Sequence, residues 1–208
     1  MFKSIIGKKI GMIRTFSNLG ESISVTVISA GPCIITNICT VSKNGYNAIQ
    51  LGFDSKIKKI HKAQYGYFKK NNISPQRVLK EFKLDNNNIN ISNFNIGQEI
   101  KVDVFNINDY VKVRTCSKGK GYAGVIKRHN FSMQSVTHGQ SDRTRARGSS
   151  GGQGPQKVLK GMKMAGHLGN KYVTIRGLQI VKIDSIHNVL FIKGSVPGNL
   201  NSILTISL

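Results

Sequence analysis

Gly119-Lys120-Gly121-Tyr122-Ala123-Gly124 spells G-x-G-x-x-G just after a stretch of strand character, and Asp142 lies about twenty residues further on. Such a pattern could cradle a dinucleotide pyrophosphate, with the aspartate on a ribose hydroxyl. The context argues against it. No second parallel strand ends at Asp142, and that aspartate stands among Arg143, Arg145 and Arg147. His129, His138 and His167 offer imidazole nitrogens to a metal, but they are widely spaced with no cysteine or second acid nearby. Ser135 and His138 lack a nucleophile-elbow sequence. Cys33, Cys39 and Cys116 are odd in number and fit neither a zinc motif nor a disulfide framework, so they read as small apolar residues in a reducing compartment. The sequence therefore predicts no enzyme, no cofactor, no metal and no small-molecule substrate.

Charge is the chemistry that remains. Lys and Arg total 31 against 9 Asp and Glu, a net +22 on 208 residues. Self-repulsion on this scale costs stability unless a polyanion relieves it. A membrane is the weaker candidate: no run of 18 apolar residues occurs, and no amphipathic helix sets a basic face against a broad apolar one. The opening Met1 to Lys9 lacks a secretory apolar stretch, and Gly7 and Gly11 spoil an amphipathic presequence.

Between Lys112 and Lys182 the charge is concentrated. This window holds 15 cations, one acid (Asp142) and 12 of the 22 glycines. Glycine lets a backbone approach phosphates and take bends that a Cβ forbids. Lys and Arg neutralise phosphates and release counterions. The three histidines add stacking and hydrogen-bonding groups. With no helix-turn-helix, finger or basic-zipper pattern, folded RNA is a better partner than DNA.

The elements around this stretch read as β structure. Ser22 to Ile28 alternates, with Ile23, Val25 and Val27 expected on one face. Gly31-Pro32 marks a turn, Ile34 to Val41 a second strand, and Asn44-Gly45 a hairpin before Tyr46 to Phe53. A short basic helix is expected near 57–70, and an exposed Asn-rich loop over 85–95. Ile100, Val102 and Val104 should face inward from a strand, as should Val111 and Val113 from the next. Strand alternation lapses from Ser117 to Asn170, apart from a helix expected over Tyr122 to His129. It returns at Tyr172, where the inward parity flips at Gly177 and predicts a β-bulge. Val189 to Ile192 reads as a central strand, Val196-Pro197-Gly198 as a turn and Ile203 to Ile206 as the last strand. The expected layout is a β domain over 1–114 and 171–208, with a basic extension, 115–170, inserted into it.

Several blocks carry a family resemblance. Ile6-Gly7-Lys8-Lys9-Ile10-Gly11-Met12, Gly45 to Gln50, Ser117 to Gly124, Lys127 to Phe131 and Thr137-His138-Gly139 come first. Lys160 to Gly166, Leu168-Gly169-Asn170 and Lys193 to Gly198 complete the set. In this order they resemble the bacterial-type large-subunit ribosomal protein three family. The resemblance implies a mainly β fold, a translation-factor-like β-barrel with a long irregular loop. It implies a structural role in the large ribosomal subunit, of a bacterial cytoplasm or an organelle. It implies early assembly, binding to large-subunit rRNA near its 3′ end, and ribosomal protein neighbours. The loop tip, around Gly148 to Pro155, would approach the peptidyl-transferase region. The residues expected to meet RNA are Lys8, Lys9, Arg14, Lys118, Lys120, Lys127, Arg128, His129 and His138, followed by Arg143, Arg145, Arg147, Gln153, Lys157, Lys160, Lys163, His167 and Lys171. Arg147 departs from the family's usual Pro and adds a charge near the tip. The glutamine methylation of some bacterial relatives is not carried over to Gln153. The alternative reading is a free-standing RNA-binding chaperone.

Overall fold

The computed structural model describes residues 2–17, 20–55, 58–84 and 94–208. They fall into two compact units: Met1–Cys116 with Tyr172–Leu208, and Ser117–Lys171. In chain order the elements are β1 (Ser4–Phe16), β2 (Ser22–Ala30), β3 (Cys33–Cys39), α1 (Val41–Asn44), β4 (Ala48–Ser55), α2 (Lys62–Lys70) and β5 (Gln76–Lys83). Then come β6 (Glu99–Ile100), β7 (Tyr110–Cys116), β8 (Tyr122–Ala123), α3 (Val125–His129), β9 (Gly166–His167), β10 (Tyr172–Asp184), β11 (Val189–Lys193) and β12 (Ile203–Ser207).

In the first unit, six strands close into an antiparallel barrel in the order β1-β12-β7-β10-β11-β2. Closure removes the edges that would otherwise template aggregation. Ile5, Ile6, Ile28, Ile180, Leu190, Ile192, Leu204 and Ile206 are fully buried in the core. Each such side chain contributes about 1.5–3 kcal/mol by leaving water. Gly7 lets β1 lie close to β2, since a Cβ there would stand 2.8 Å from Ile28 Cγ2 and 2.9 Å from the Ser29 carbonyl oxygen. A four-stranded sheet, β5-β4-β3-β6, adds Ile35, Ile49 and Leu51 to the same core. Phe2 joins the two layers edge-on, 6.0 Å from Phe82 and 5.9 Å from Phe94. Lys3 pairs with Asp109 at 2.8 Å and holds that carboxyl below the usual carboxylate range.

Several local expectations change. In β2 the buried residues are Val25, Thr26, Ile28 and Ala30, not the face of Ile23, Val25 and Val27. Val25 and Thr26 are buried in succession, so alternation breaks there, and the polar Thr26 is accommodated because its hydroxyl donates to the Gly194 carbonyl at 2.7 Å. Asn44-Gly45 does not form a two-residue hairpin turn. The chain makes one helical turn, α1, which Gly45 ends in the left-handed region at φ 78°. The strand expected through Val104 stops at Ile100, and Val102–Val104 form a 3-10 turn that still buries Val102. The basic helix begins at Lys62, later than expected, and Lys56 and Ile57 lie outside the described residues. So do residues 85–93 of the expected Asn-rich loop. Tyr122 and Ala123, expected in a helix, are in β8 instead. β11 buries Leu190 and Ile192 but only half-covers Val189 and Phe191, so one of its faces is packed more fully.

Candidate nucleic-acid interface

The second unit begins and ends as a narrow ribbon. β8 and β9 pair antiparallel, Tyr122 with His167 and Ala123 with Gly166. Beneath them the Lys120 amide donates to the Leu168 carbonyl at 2.9 Å, and the Leu168 amide to the Gly121 carbonyl at 2.9 Å. The Ser117 amide donates to the Lys171 carbonyl at 2.9 Å. Gly169 is indispensable here. It sits at φ +77°, and a Cβ would lie 2.1 Å from the Lys118 carbonyl oxygen. The block Ser117 to Gly124 and the block Leu168 to Asn170 are thus two halves of one close backbone contact.

The geometry disposes of the dinucleotide reading in physical terms. The glycines lead into a two-residue antiparallel ladder and a five-residue helix, α3, not a parallel strand and a long helix whose N-terminus could hold a pyrophosphate. Asp142 is 82% exposed and lies 4.0 Å from Arg143. Among the described residues no group of three His, Cys, Asp or Glu could hold a metal. Cys33 is buried, and desolvation pushes its thiol up to about 12, which leaves it unreactive.

Three expected RNA contacts turn inward on the unit's own backbone. Arg128 donates to the Met164 carbonyl at 2.6 Å, and His129 Nε2 lies 3.1 Å from the same oxygen. Gly166 makes room for that arginine, since a Cβ would stand 2.7 Å from its guanidinium. Arg147 donates to the Lys163 carbonyl at 3.2 Å. These side chains brace the returning segment, so the Lys127 to Phe131 block and the Lys160 to Gly166 block also explain each other. Arg145 reaches the Met133 sulfur at 3.2 Å, and His138 Nδ1 lies 2.8 Å from the Thr137 hydroxyl. Lys118, Lys120, Lys127, Arg143, Gln153, Lys157, Lys160, Lys163, His167 and Lys171 are exposed. Arg143 is also held left-handed, at φ 57°, an uncommon setting for a bulky residue.

The remaining three candidates belong to the barrel unit. Lys8 is half-buried and Arg14 is exposed, donating to Ser22 Oγ with its guanidinium 5.7 Å from the Phe16 ring. Lys9, expected to meet RNA, is largely buried in the structure. It is 7% exposed, and its ammonium donates to the carbonyls of Val196 at 2.6 Å and Gly198 at 3.3 Å. The blocks Ile6 to Met12 and Lys193 to Gly198 therefore meet through this lysine. A buried ammonium without such acceptors would be very costly, and the carbonyls would in turn lose their donor. Lys9→Met is expected to destabilise the barrel by about 2–3 kcal/mol in urea unfolding. If it instead left stability unchanged and flattened the salt dependence of RNA binding, the inward role would be wrong.

A closed antiparallel barrel unit and a second unit dense in exposed cations define a class: a strongly basic, mainly β protein with an inserted cationic unit. The family model for Ribosomal protein L3 matches residues 69–188. Large ribosomal subunit protein uL3 of Endomicrobium trichonymphae is 57% identical over 208 residues, covering 100% of this chain and 90% of the relative. The uL3 proteins of Brachyspira pilosicoli and Carboxydothermus hydrogenoformans are 45% and 46% identical, covering 98% and 99% of this chain and 92% and 97% of those relatives. The chain belongs to the ribosomal protein L3 family.

Proposed function

We propose that the unit Ser117–Lys171 is an arm that large-subunit rRNA holds in place, and that the barrel unit anchors it. As a member of its family the chain is a structural, non-enzymatic constituent of the large ribosomal subunit. The observation that carries the RNA reading is energetic. Among the described residues, the arm contributes only Ala123 and Val125 to the buried apolar side chains. Fixing a residue's backbone costs about 1–2 kcal/mol, which two small side chains cannot offset over 55 residues. The arm also has 11 cations against one acid. A polyanion supplies the missing stabilisation, and phosphates also relieve the repulsion.

In this reading Arg143, Arg145, Lys157, Lys160 and Lys163 take phosphates from several RNA segments, while Arg128, His129 and Arg147 hold the shape that presents them. The chain binds near the 3′ end of the large rRNA, joins the particle early, and directs the tip around Gly148 to Pro155 toward the peptidyl-transferase region. Its protein neighbours are other large-subunit proteins. The test is binding of the full chain to large-subunit rRNA across a salt series. Arg143→Gln, Arg145→Gln and Lys157→Gln together should reduce the slope of log affinity against log salt by roughly 2–3. Co-sedimentation with large subunits in moderate salt is expected for the wild type. An unchanged slope defeats the clamp, and RNA binding without co-sedimentation favours the free-standing chaperone.

A further inference from the structure

We propose that the barrel unit carries a second RNA site, a cationic groove in which one unpaired base stacks on Tyr172; this rests on the RNA-binding reading above. The groove encloses about 940 Å³ between the outward face of β12-β7-β10 and strand β5, the end strand of its sheet. Alternation along β7 turns Val111, Val113 and Thr115 inward and leaves Lys112 and Arg114 exposed. Lys80 and Lys83 come from β5, and Arg176 from β10. Among the described residues none of these five cations is in an ion pair. The one acidic side chain of the lining, Glu81, accepts hydrogen bonds from Tyr46 at 3.1 Å and Gln50 at 3.3 Å.

Tyr172 gives the groove its specificity for a nucleic acid. The residue is 63% exposed, with the Arg114 guanidinium over its ring at 5.1 Å and the Lys80 ammonium over it at 5.7 Å from the centroid. Thr174 and Thr205 are the ladder partners of Arg114 on either side, and place hydroxyls beside it. Cations, hydroxyls and an exposed aromatic residue match phosphate, ribose and base in turn, the base taking its place on the ring as the two cations turn to its phosphates. An acidic protein would use the cations but would have no need of the ring. The cations that form the groove lie outside the arm, on β5, β7 and β10.

The chain has no tryptophan, so Tyr172→Trp installs a single fluorophore that keeps a stacking face. The full-length variant is titrated with a large-subunit rRNA transcript, with filter binding in parallel. Quenching that saturates together with filter-measured binding is expected, and Lys80→Gln with Arg114→Gln should weaken it. Tyr172→Ala should lower affinity roughly fivefold or more, while Tyr172→Phe retains it. Saturable RNA binding with unquenched Trp fluorescence overturns the groove site but leaves the arm reading intact. So does crosslinking of position 172 in assembled subunits to a protein neighbour instead of RNA. Failure of the wild-type chain to bind rRNA at all overturns both.

Discussion

Replacing residues 118–170 with the two-residue turn Asn-Gly leaves a folded barrel that no longer enters large ribosomal subunits. The geometry makes the splice local. Cys116 and Tyr172 are register partners at the ends of β7 and β10, and the Ser117 amide already donates to the Lys171 carbonyl at 2.9 Å. An Asn-Gly turn suits the twist of an antiparallel pair at such a point. The closed barrel and its companion sheet keep every member of the hydrophobic core cluster, which draws on no residue of Ser117–Lys171. Cooperative unfolding should therefore persist, with a midpoint within a few degrees of wild type, about the shift a 1 kcal/mol change produces in a domain of this size. Incorporation, read from sucrose-gradient fractions of cells expressing both forms, should fall at least about tenfold, given the several phosphate contacts removed. A truncated chain that co-migrates with large subunits like wild type would show that the arm is dispensable, and the proposed function would have to rest on the barrel alone.

How much of this could be read from the residues depends on the range of the interaction. Alternation at Val111 to Thr115 and the parity flip at Gly177 are local, and both appear as expected. Between the pairs Ile175 with Val113 and Leu178 with Val111, β10 carries Arg176 and Gly177 against Lys112 alone, with Gly177 at φ +71°. The β2 face is not local in this way: the polar Thr26 is buried because its hydroxyl meets the Gly194 carbonyl, 168 residues further along the chain. The burial of Lys9 is not legible locally, because nothing in Lys8-Lys9 states that its acceptors are supplied nearly two hundred residues away, at Val196 and Gly198. The same holds for Lys80 and Tyr172, whose approach requires the sheet and the barrel to be assembled first. Local spacing identified the cations but did not sort them. Arg128 and Arg147 carry the same charge as Arg143, and only their carbonyl partners show that they brace the arm.

That sorting makes the ribbon at the base of the arm a sharper target than any single cation. Gly169→Ala is expected to abolish subunit incorporation while the barrel melts as in wild type. Gly139 is the control, because it shares the left-handed backbone, φ +82° against +77°, but has nothing within 4 Å of an added Cβ. Both substitutions incur the left-handed penalty, about 1–2 kcal/mol. Only at Gly169 does the new Cβ also meet a backbone atom, the Lys118 carbonyl oxygen at 2.1 Å. Backbone cannot rotate away as a side-chain end can, so the Lys118 to Gly121 segment must separate from Leu168 to Asn170. The Lys120 to Leu168 and Leu168 to Gly121 hydrogen bonds are then lost together. Hydrogen exchange at the Lys120 and Leu168 amides is the direct readout, with protection lost in Gly169→Ala and retained in Gly139→Ala. If both variants keep that protection and assemble equally well, the close approach at Gly169 is not what holds the two ends of the arm together. If both lose it equally, the penalty is one of backbone conformation alone, and the contact with Lys118 carries no weight.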